Sequence, residues 1–288
     1  MSTIEIRIID MKFRILFIAT LLFTLVIPGK AQTFKVASFN VRFDNPRDSG
    51  NLWVNRAPVV ANLIRYHDFD IFGVQEALKN QLNDISAALP QYAIYGKGRD
   101  DGKEGGEHSS IYYKKDMFKL LKSGDFWLSA TPGVPGKGWD ATCCNRICSW
   151  VYLENMKSKK RFYVFNVHFD HQGVVARKES GKLMIQKMKE IAGTAPVLLT
   201  GDFNGDRESE WYKTLANSGV VRDSYTDVKY PYENNSSTNG FRVPRGMGVI
   251  DHIFISRQFT ASKWGILTDT YFGKFPSDHF PVAATVSF

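Results

Sequence analysis

The chain has 288 residues and a formal net charge of +8 at pH 7, a balance that favours anionic partners in general and singles out none. It contains no internal repeat, no low-complexity tract and no Pro/Gly/Ser linker long enough to separate domains, which excludes a repeat array and a tandem of small domains. Cys143, Cys144 and Cys148 are its only cysteines. An odd number leaves at least one thiol unpaired, and no fourth ligand is spaced like a zinc knuckle, so a local loop disulfide or buried thiols are expected.

At the N-terminus, Lys12 and Arg14 precede an apolar or neutral run over residues 15–27, followed by Pro28, Gly29, Lys30 and Ala31. That order is expected of a secretory signal peptide over residues 1–31, cleaved before Gln32, with Met11 as an alternative start. The run is shorter than the ~20 residues of a membrane span, and no cysteine follows it to carry a lipid. A secreted or periplasmic protein without a stable membrane anchor is therefore expected. Losing residues 1–31 removes four basic side chains (Arg7, Lys12, Arg14, Lys30) and two acidic ones (Glu5, Asp10), leaving +6 of the +8 on one domain spanning 32–288.

Short apolar, β-branched runs predict strands over residues 34–38, 71–74, 110–113, 149–153, 162–167, 197–200, 249–256 and 280–286. Helical spacing of apolar residues predicts helices over 57–66, 78–89, 174–191 and 208–216. Strands both alternate with helices and follow one another directly, which predicts an α/β fold of two packed mixed sheets flanked by helices.

Chemically capable side chains fall at the ends of these runs. Four runs end at Asn40, Glu76, His168 and Asp202; two others begin just after Asp251 and after Asp278 and His279. Any one of them has an ordinary explanation as a turn former or helix cap. In a mixed sheet, however, the C-terminal end of one strand and the start of an antiparallel neighbour share an edge, so all six ends can meet in one cleft.

The segments SFNVRFD, DIFGVQE, FNVHFDH, TGDFNGD, IDHIFIS and PSDHFPV resemble, in order and over nearly the whole mature chain, the endonuclease/exonuclease/phosphatase (deoxyribonuclease I-like) superfamily, with similarity to a bacterial branch of it. GDFN and SDH are the most specific of these. The resemblance implies a four-layer α/β/β/α sandwich and a phosphoester hydrolase using Mg2+ or Mn2+. It implies metal ligation by Glu76 with Asn40 and Asp278, a general base at Asp202, and Asn204 orienting the water. It implies that His279, fixed by Asp251, donates to the phosphoryl oxygens. It places His168 as a second phosphate-contacting imidazolium, Asn166 as a supporting amide and Arg146 beside the phosphate pocket; Asp170 and His171, just after His168, either shape the substrate pocket or form a turn. Such chemistry needs a nucleophilic water and neutralisation of charge on the phosphoryl oxygens, which hard oxygen ligands around a divalent cation assist.

The loop over residues 96–107 mixes Lys97, Arg99 and Lys103 with Asp100, Asp101, Glu104 and Glu107 around five glycines. It reads as a solvated hairpin tip, and its acidic share argues against a long polyanion, whose binding rests on phosphate neutralisation. A monomeric enzyme acting on a small phosphoester is expected. A nuclease, a sphingomyelinase-like phosphodiesterase and an inactive ligand-binding relative are the alternatives; dead relatives lose a metal carboxylate or a catalytic histidine, and none is missing here. Trp53, Trp127 and Trp139 are read as core or rim.

Overall fold

A computed structural model of the protein describes residues 32–243, 246 and 248–288; the expected leader, 1–31, lies outside them. The apolar runs become strands with little or no exposed face. β1 (Thr33–Asn40), β2 (Ile71–Ala77), β8 (Val197–Asp202) and β10 (Asp251–Ile255) are buried almost throughout. Near-continuous burial follows from being covered on both faces, by the opposite sheet and by helices.

The remaining strands are β3 (Tyr92–Tyr95), β4 (His108–Lys114), β5 (Phe118–Trp127), β6 (Ile147–Asn155), β7 (Arg161–His168), β9 (Arg222–Asp223), β11 (Thr260–Ile266) and β12 (Val282–Ser287). They form two six-stranded sheets, in the orders β11-β12-β1-β2-β4-β3 and β5-β6-β7-β8-β10-β9. The pairs β1/β2 and β7/β8 are parallel and their neighbours antiparallel, so both sheets are mixed. The four strands not foreseen from sequence, β3, β5, β9 and β11, are the four sheet edges. Edge strands carry polar side chains on their open side, which erases the apolar signal; β5, for example, alternates little and has no fully buried residue between Phe118 and Phe126.

Between the sheets lies an aromatic-rich core in which Phe34 stacks on Phe162 at 5.4 Å. Each fully buried side chain of this size contributes roughly 1.5–3 kcal/mol. Helices α1 (Trp53–His67) and α2 (Lys79–Ala88) place Val60, Ile64 and Leu82 against Phe39, Phe72 and Tyr112 of the first sheet. Helices α3 (Val174–Ala192) and α4 (Glu210–Ala216) cover the second, with Met184 and Met188 against Phe165, Leu199 and Phe254. The result is the expected four-layer α/β/β/α sandwich. No helix among the described residues is long and apolar enough to cross a membrane.

Near the functional edge the two sheets meet through polar atoms. A Cβ on Gly73 would overlap Asn166 Oδ1 and Thr200 Oγ1, so the close approach of β2 to the second sheet requires glycine there.

Candidate active site

Strand pairing sets the site. His168 and Asp202 end the parallel strands β7 and β8 side by side, and Asp251 at the start of β10 lies opposite Asp202. On the facing sheet, Asn40 ends β1 opposite Gln75 of β2. A bulge between Val74 and Ala77 breaks the β2 register, and Glu76 takes a left-handed φ of 65°. Bulges re-aim side chains beside functional sites, and this one carries Glu76 into the cleft. Arg42 and Asn204 share the left-handed conformation, at φ 55° and 46°; three such non-glycine residues around one cleft are the pattern of strain held at a site.

The segment bearing Asp278 and His279 is tied to β1 from below. Ser277 Oγ donates to Asn40 O at 2.7 Å. Arg56, fully buried in α1, donates to the carbonyls of Val41, Arg42, Asn51 and Pro276 at 2.7–3.2 Å.

Asp202, Asp251 and His279 form a buried cluster whose ligand-type atoms lie within 4.8 Å of one another. His279 Nδ1 is 2.9 Å from Asp251 Oδ2, and its Nε2 is 3.8 Å from Asp202 Oδ2. Burial alone would lower the His279 pKa, but Asp251 and Asp202 outweigh it and hold the imidazole well above its usual range, hence protonated. Two carboxylates flanking one imidazole form an arrangement suited to acid–base chemistry. Asp202 Oδ1 accepts from the Asn204 backbone N–H at 2.9 Å and Oδ2 from Asn40 Nδ2 at 3.1 Å. Burial first, and then Asp251, push its carboxyl up to about 7.

The metal-binding capacity lies beside it. Glu76 Oε1 accepts from Asn40 Nδ2 at 2.9 Å. Glu76 Oε2 and Asp278 Oδ2 stand 3.8 and 3.7 Å from the same nitrogen, Arg42 Nη1. Burial and then Glu76 raise the Asp278 pKa against the pull of His279 and Arg42. Two crowded carboxylates with an amide beside them are a hard-oxygen donor set that a divalent cation suits. Arg42, held on its far side by Asp48 at 2.8 and 3.1 Å, was not singled out from sequence; its one signal is its place in SFNVRFD.

Asn204 and His168 line the cleft, with Asn204 Nδ2 3.2 Å from His168 Nε2. Burial, Arg146 and Arg99 lower the His168 pKa; its Nε2 also lies 3.4 Å from Asp202 Oδ2, and its Nδ1 has no partner. Arg146 lines the cleft as expected, almost fully buried, and its Nη1 also lacks a partner. Asp170 is not at the surface of the cleft. Its Oδ1 accepts from the backbone of Gln172 and Gly173, and its Oδ2 lies 3.4 Å from Arg146 Nε, so it holds the arginine from behind. His171 does reach the cleft, 2.7 Å from Arg146 Nη2.

Asn166 is likewise placed elsewhere than expected. It is fully buried between the sheets, its amide nitrogen donating to Val74 O and Ser110 O and its oxygen accepting from Gln75 and Thr200. That exhausts its hydrogen-bonding capacity, and its role is to join the sheets.

The cleft has a volume of about 460 Å³ and an outer wall that the sequence reading took for solvent-facing loop. The 96–107 segment folds back on itself, with Arg99 N donating to Glu107 O at 3.0 Å and the Arg99 guanidinium gripping the Glu107 carboxylate at 2.6 and 2.8 Å. Both side chains line the cleft, as do Cys143 and Cys144, which are joined in a disulfide. The remaining cysteine, Cys148, is buried in β6. Trp53 and Trp127 are buried and Trp139 is exposed.

This fold and this set of groups at its sheet edge define a phosphoester-hydrolase scaffold, and the chain belongs to the Endonuclease/Exonuclease/phosphatase family, which its residues 37–279 match. Among solved structures it is similar to an endonuclease/exonuclease/phosphatase family protein from Bacteroides thetaiotaomicron, at 46% identity and a TM-score of 0.87 over 90% of this chain and 99% of that one. A mannosyl-6-phosphatase from the same organism is similar at 46% identity and a TM-score of 0.86, over 88% of this chain and 100% of that one. An uncharacterised protein of Acanthamoeba polyphaga mimivirus is 32% identical over 67% of this chain and 74% of its own length.

Proposed function

We propose that the protein is an exported, divalent-metal-dependent phosphatase that hydrolyses a small phosphomonoester of a hydroxylated alcohol, with a sugar phosphate as the first candidate. The observation that carries this reading is the form of the cleft: an acid–base and carboxylate set in a cavity of about 460 Å³, with the Arg99–Glu107 pair in its wall. The similarity to a mannosyl-6-phosphatase supports it. Glu107 and Glu76 stand among the arginines that line the cleft, and such carboxylates disfavour a long polyanion.

In this reading Asp202, oriented by Asn40 and the Asn204 N–H, takes the proton of the attacking water; a base titrating near neutrality is matched to that task. His279, kept protonated by Asp251, donates from Nε2 to a phosphoryl oxygen as charge builds there. Asn204, His168 and the unpartnered Arg146 Nη1 surround the same oxygens. A cation held by Glu76, Asp278 and Asn40 would supply charge neutralisation on the phosphoryl and leaving oxygens.

The test is phosphate release by residues 32–288 from a panel of sugar phosphates, nucleotides, bis(p-nitrophenyl) phosphate and DNA, with magnesium, manganese and calcium compared. Turnover restricted to the diesters or to DNA contradicts the reading. Export rests on the order of basic, apolar and small residues before Gln32; a native protein recovered with residues 12–31 intact contradicts it.

A further inference from the structure

Resting on the proposed phosphatase reading, we propose that the Arg99–Glu107 pair is the specificity site for the leaving group, reading adjacent hydroxyls of a sugar ring while the phosphoryl group sits at Asp202 and His279. Both side chains line the cleft that contains Asp202 and His279. Their side chains are 10% and 16% exposed, enough to face a ligand and too little to be well solvated.

A pair in this position is poorly explained by stability. Desolvating two charges costs about what their attraction returns, and apolar replacements of similar size are commonly as stable. Nor is either group satisfied by the other. The guanidinium saturates one lone pair on each carboxylate oxygen, leaving the others free to accept, and Nη1 and Nη2 each keep a second N–H. A carboxylate that accepts from two neighbouring O–H groups beside a donor that meets their oxygens is the complement of a vicinal diol.

The wall is also fixed in place, as a recognition surface must be. Arg99 O accepts from Trp127 Nε1 at 2.7 Å and from Asn145 Nδ2 at 3.3 Å, which ties the segment to β5 and to the loop bearing the Cys143–Cys144 disulfide. Arg146, with its buried unpartnered Nη1, lies between this wall and His168, joining the phosphate end to the hydroxyl end. Phe43 is the only Phe, Tyr or Trp among the described residues lining the cleft, and Arg42 covers one face of its ring at 4.5 Å. No pair of aromatic plates is present there to sandwich a nucleobase, which favours a sugar over a nucleoside.

The experiment measures kcat/KM of the wild type on mannose 6-phosphate, on its deoxy analogues and on p-nitrophenyl phosphate, and repeats this for Glu107→Gln and for the double variant Arg99→Gln/Glu107→Gln. We expect the ratio of sugar to aryl phosphate kcat/KM to fall by about 10- to 100-fold in both variants, mainly through KM, as for loss of a hydrogen bond to a charged group. The wild type should lose a similar factor on the analogue lacking one of the read hydroxyls, and the variants should no longer notice that loss. An unchanged ratio in the variants, or deoxy analogues all cleaved by the wild type like the parent sugar, overturns the assignment; the second readout needs no variant to fold. A wild type active on p-nitrophenyl phosphate and on no sugar phosphate overturns the assignment while sparing phosphatase chemistry, whereas inactivity on every monoester overturns the proposed function itself.

Discussion

Replacing Asp251 by Asn isolates what its charge does. Asn is close in shape and can still accept from His279 Nδ1, so the bond now 2.9 Å long need not be lost. What disappears is the charge that, with Asp202, outweighs burial and keeps His279 protonated. The sign follows directly. With a pKa held well above 6.5, His279 retains its proton through neutral pH, and activity is limited by its deprotonation only on the alkaline side. In Asp251→Asn the largest influence, burial, is opposed only by Asp202 and Asp278, so the alkaline limb of the rate profile moves to lower pH. At pH 7.5 the phosphoryl group then loses one charged donor, which costs ~10²–10³ in kcat, or about 2.7–4 kcal/mol of transition-state stabilisation. Acidification should restore part of the rate. The assay is the pH profile of kcat for wild type and variant at saturating metal, with thermal melts as a control for folding. A variant that keeps the wild-type rate at pH 7.5 and the wild-type alkaline limb refutes the assigned role of Asp251.

Three further outcomes are expected. Glu76→Gln should raise the metal concentration needed for half-maximal rate at least tenfold, since it removes a carboxylate from the donor set; an unchanged metal titration contradicts the assignment. Arg56→Met leaves the carbonyls of Val41, Asn51 and Pro276 without their donor, Arg42 O still accepting from Gln81 Nε2, at about 1–3 kcal/mol for each that water does not reach. A melting temperature within a degree of wild type would show that this anchor is not structural. Thiol titration should find no reactive thiol in the native protein, one per chain in denaturant without reductant and three after reduction. Burial raises the Cys148 pKa and shields it from reagent, and Cys143 and Cys144 are bonded to each other; two or more thiols in non-reducing denaturant would contradict the pairing.

The central strands and the functional edge were legible in the sequence because two-sided burial writes continuous apolar runs, and because each run stops at the polar residue it presents. Asn40, Glu76, His168, Asp202, Asp251, Asp278 and His279 are brought to one edge as expected. The sheet edges were not legible, since open strands mix polar and apolar residues. Asn166 and Asp170 show a second limit. A polar residue at or near the end of a strand signals the edge but not its direction, and these two face the interior of the sandwich and the back of Arg146. The Arg99–Glu107 wall shows a third. A glycine-rich charged loop reads as solvated, and only the hairpin register brings residues eight apart into an ion pair over the cleft.

The most direct test of the account is hydrolysis of mannose 6-phosphate by residues 32–288 in ¹⁸O-enriched water, with and without chelator. Attack of a water activated by Asp202 on phosphorus predicts one solvent oxygen in the released phosphate, none at the C6 hydroxyl of the released sugar, and no release once divalent metal is removed. Label at the C6 hydroxyl of the sugar, or phosphate release that persists undiminished with chelator, would contradict it.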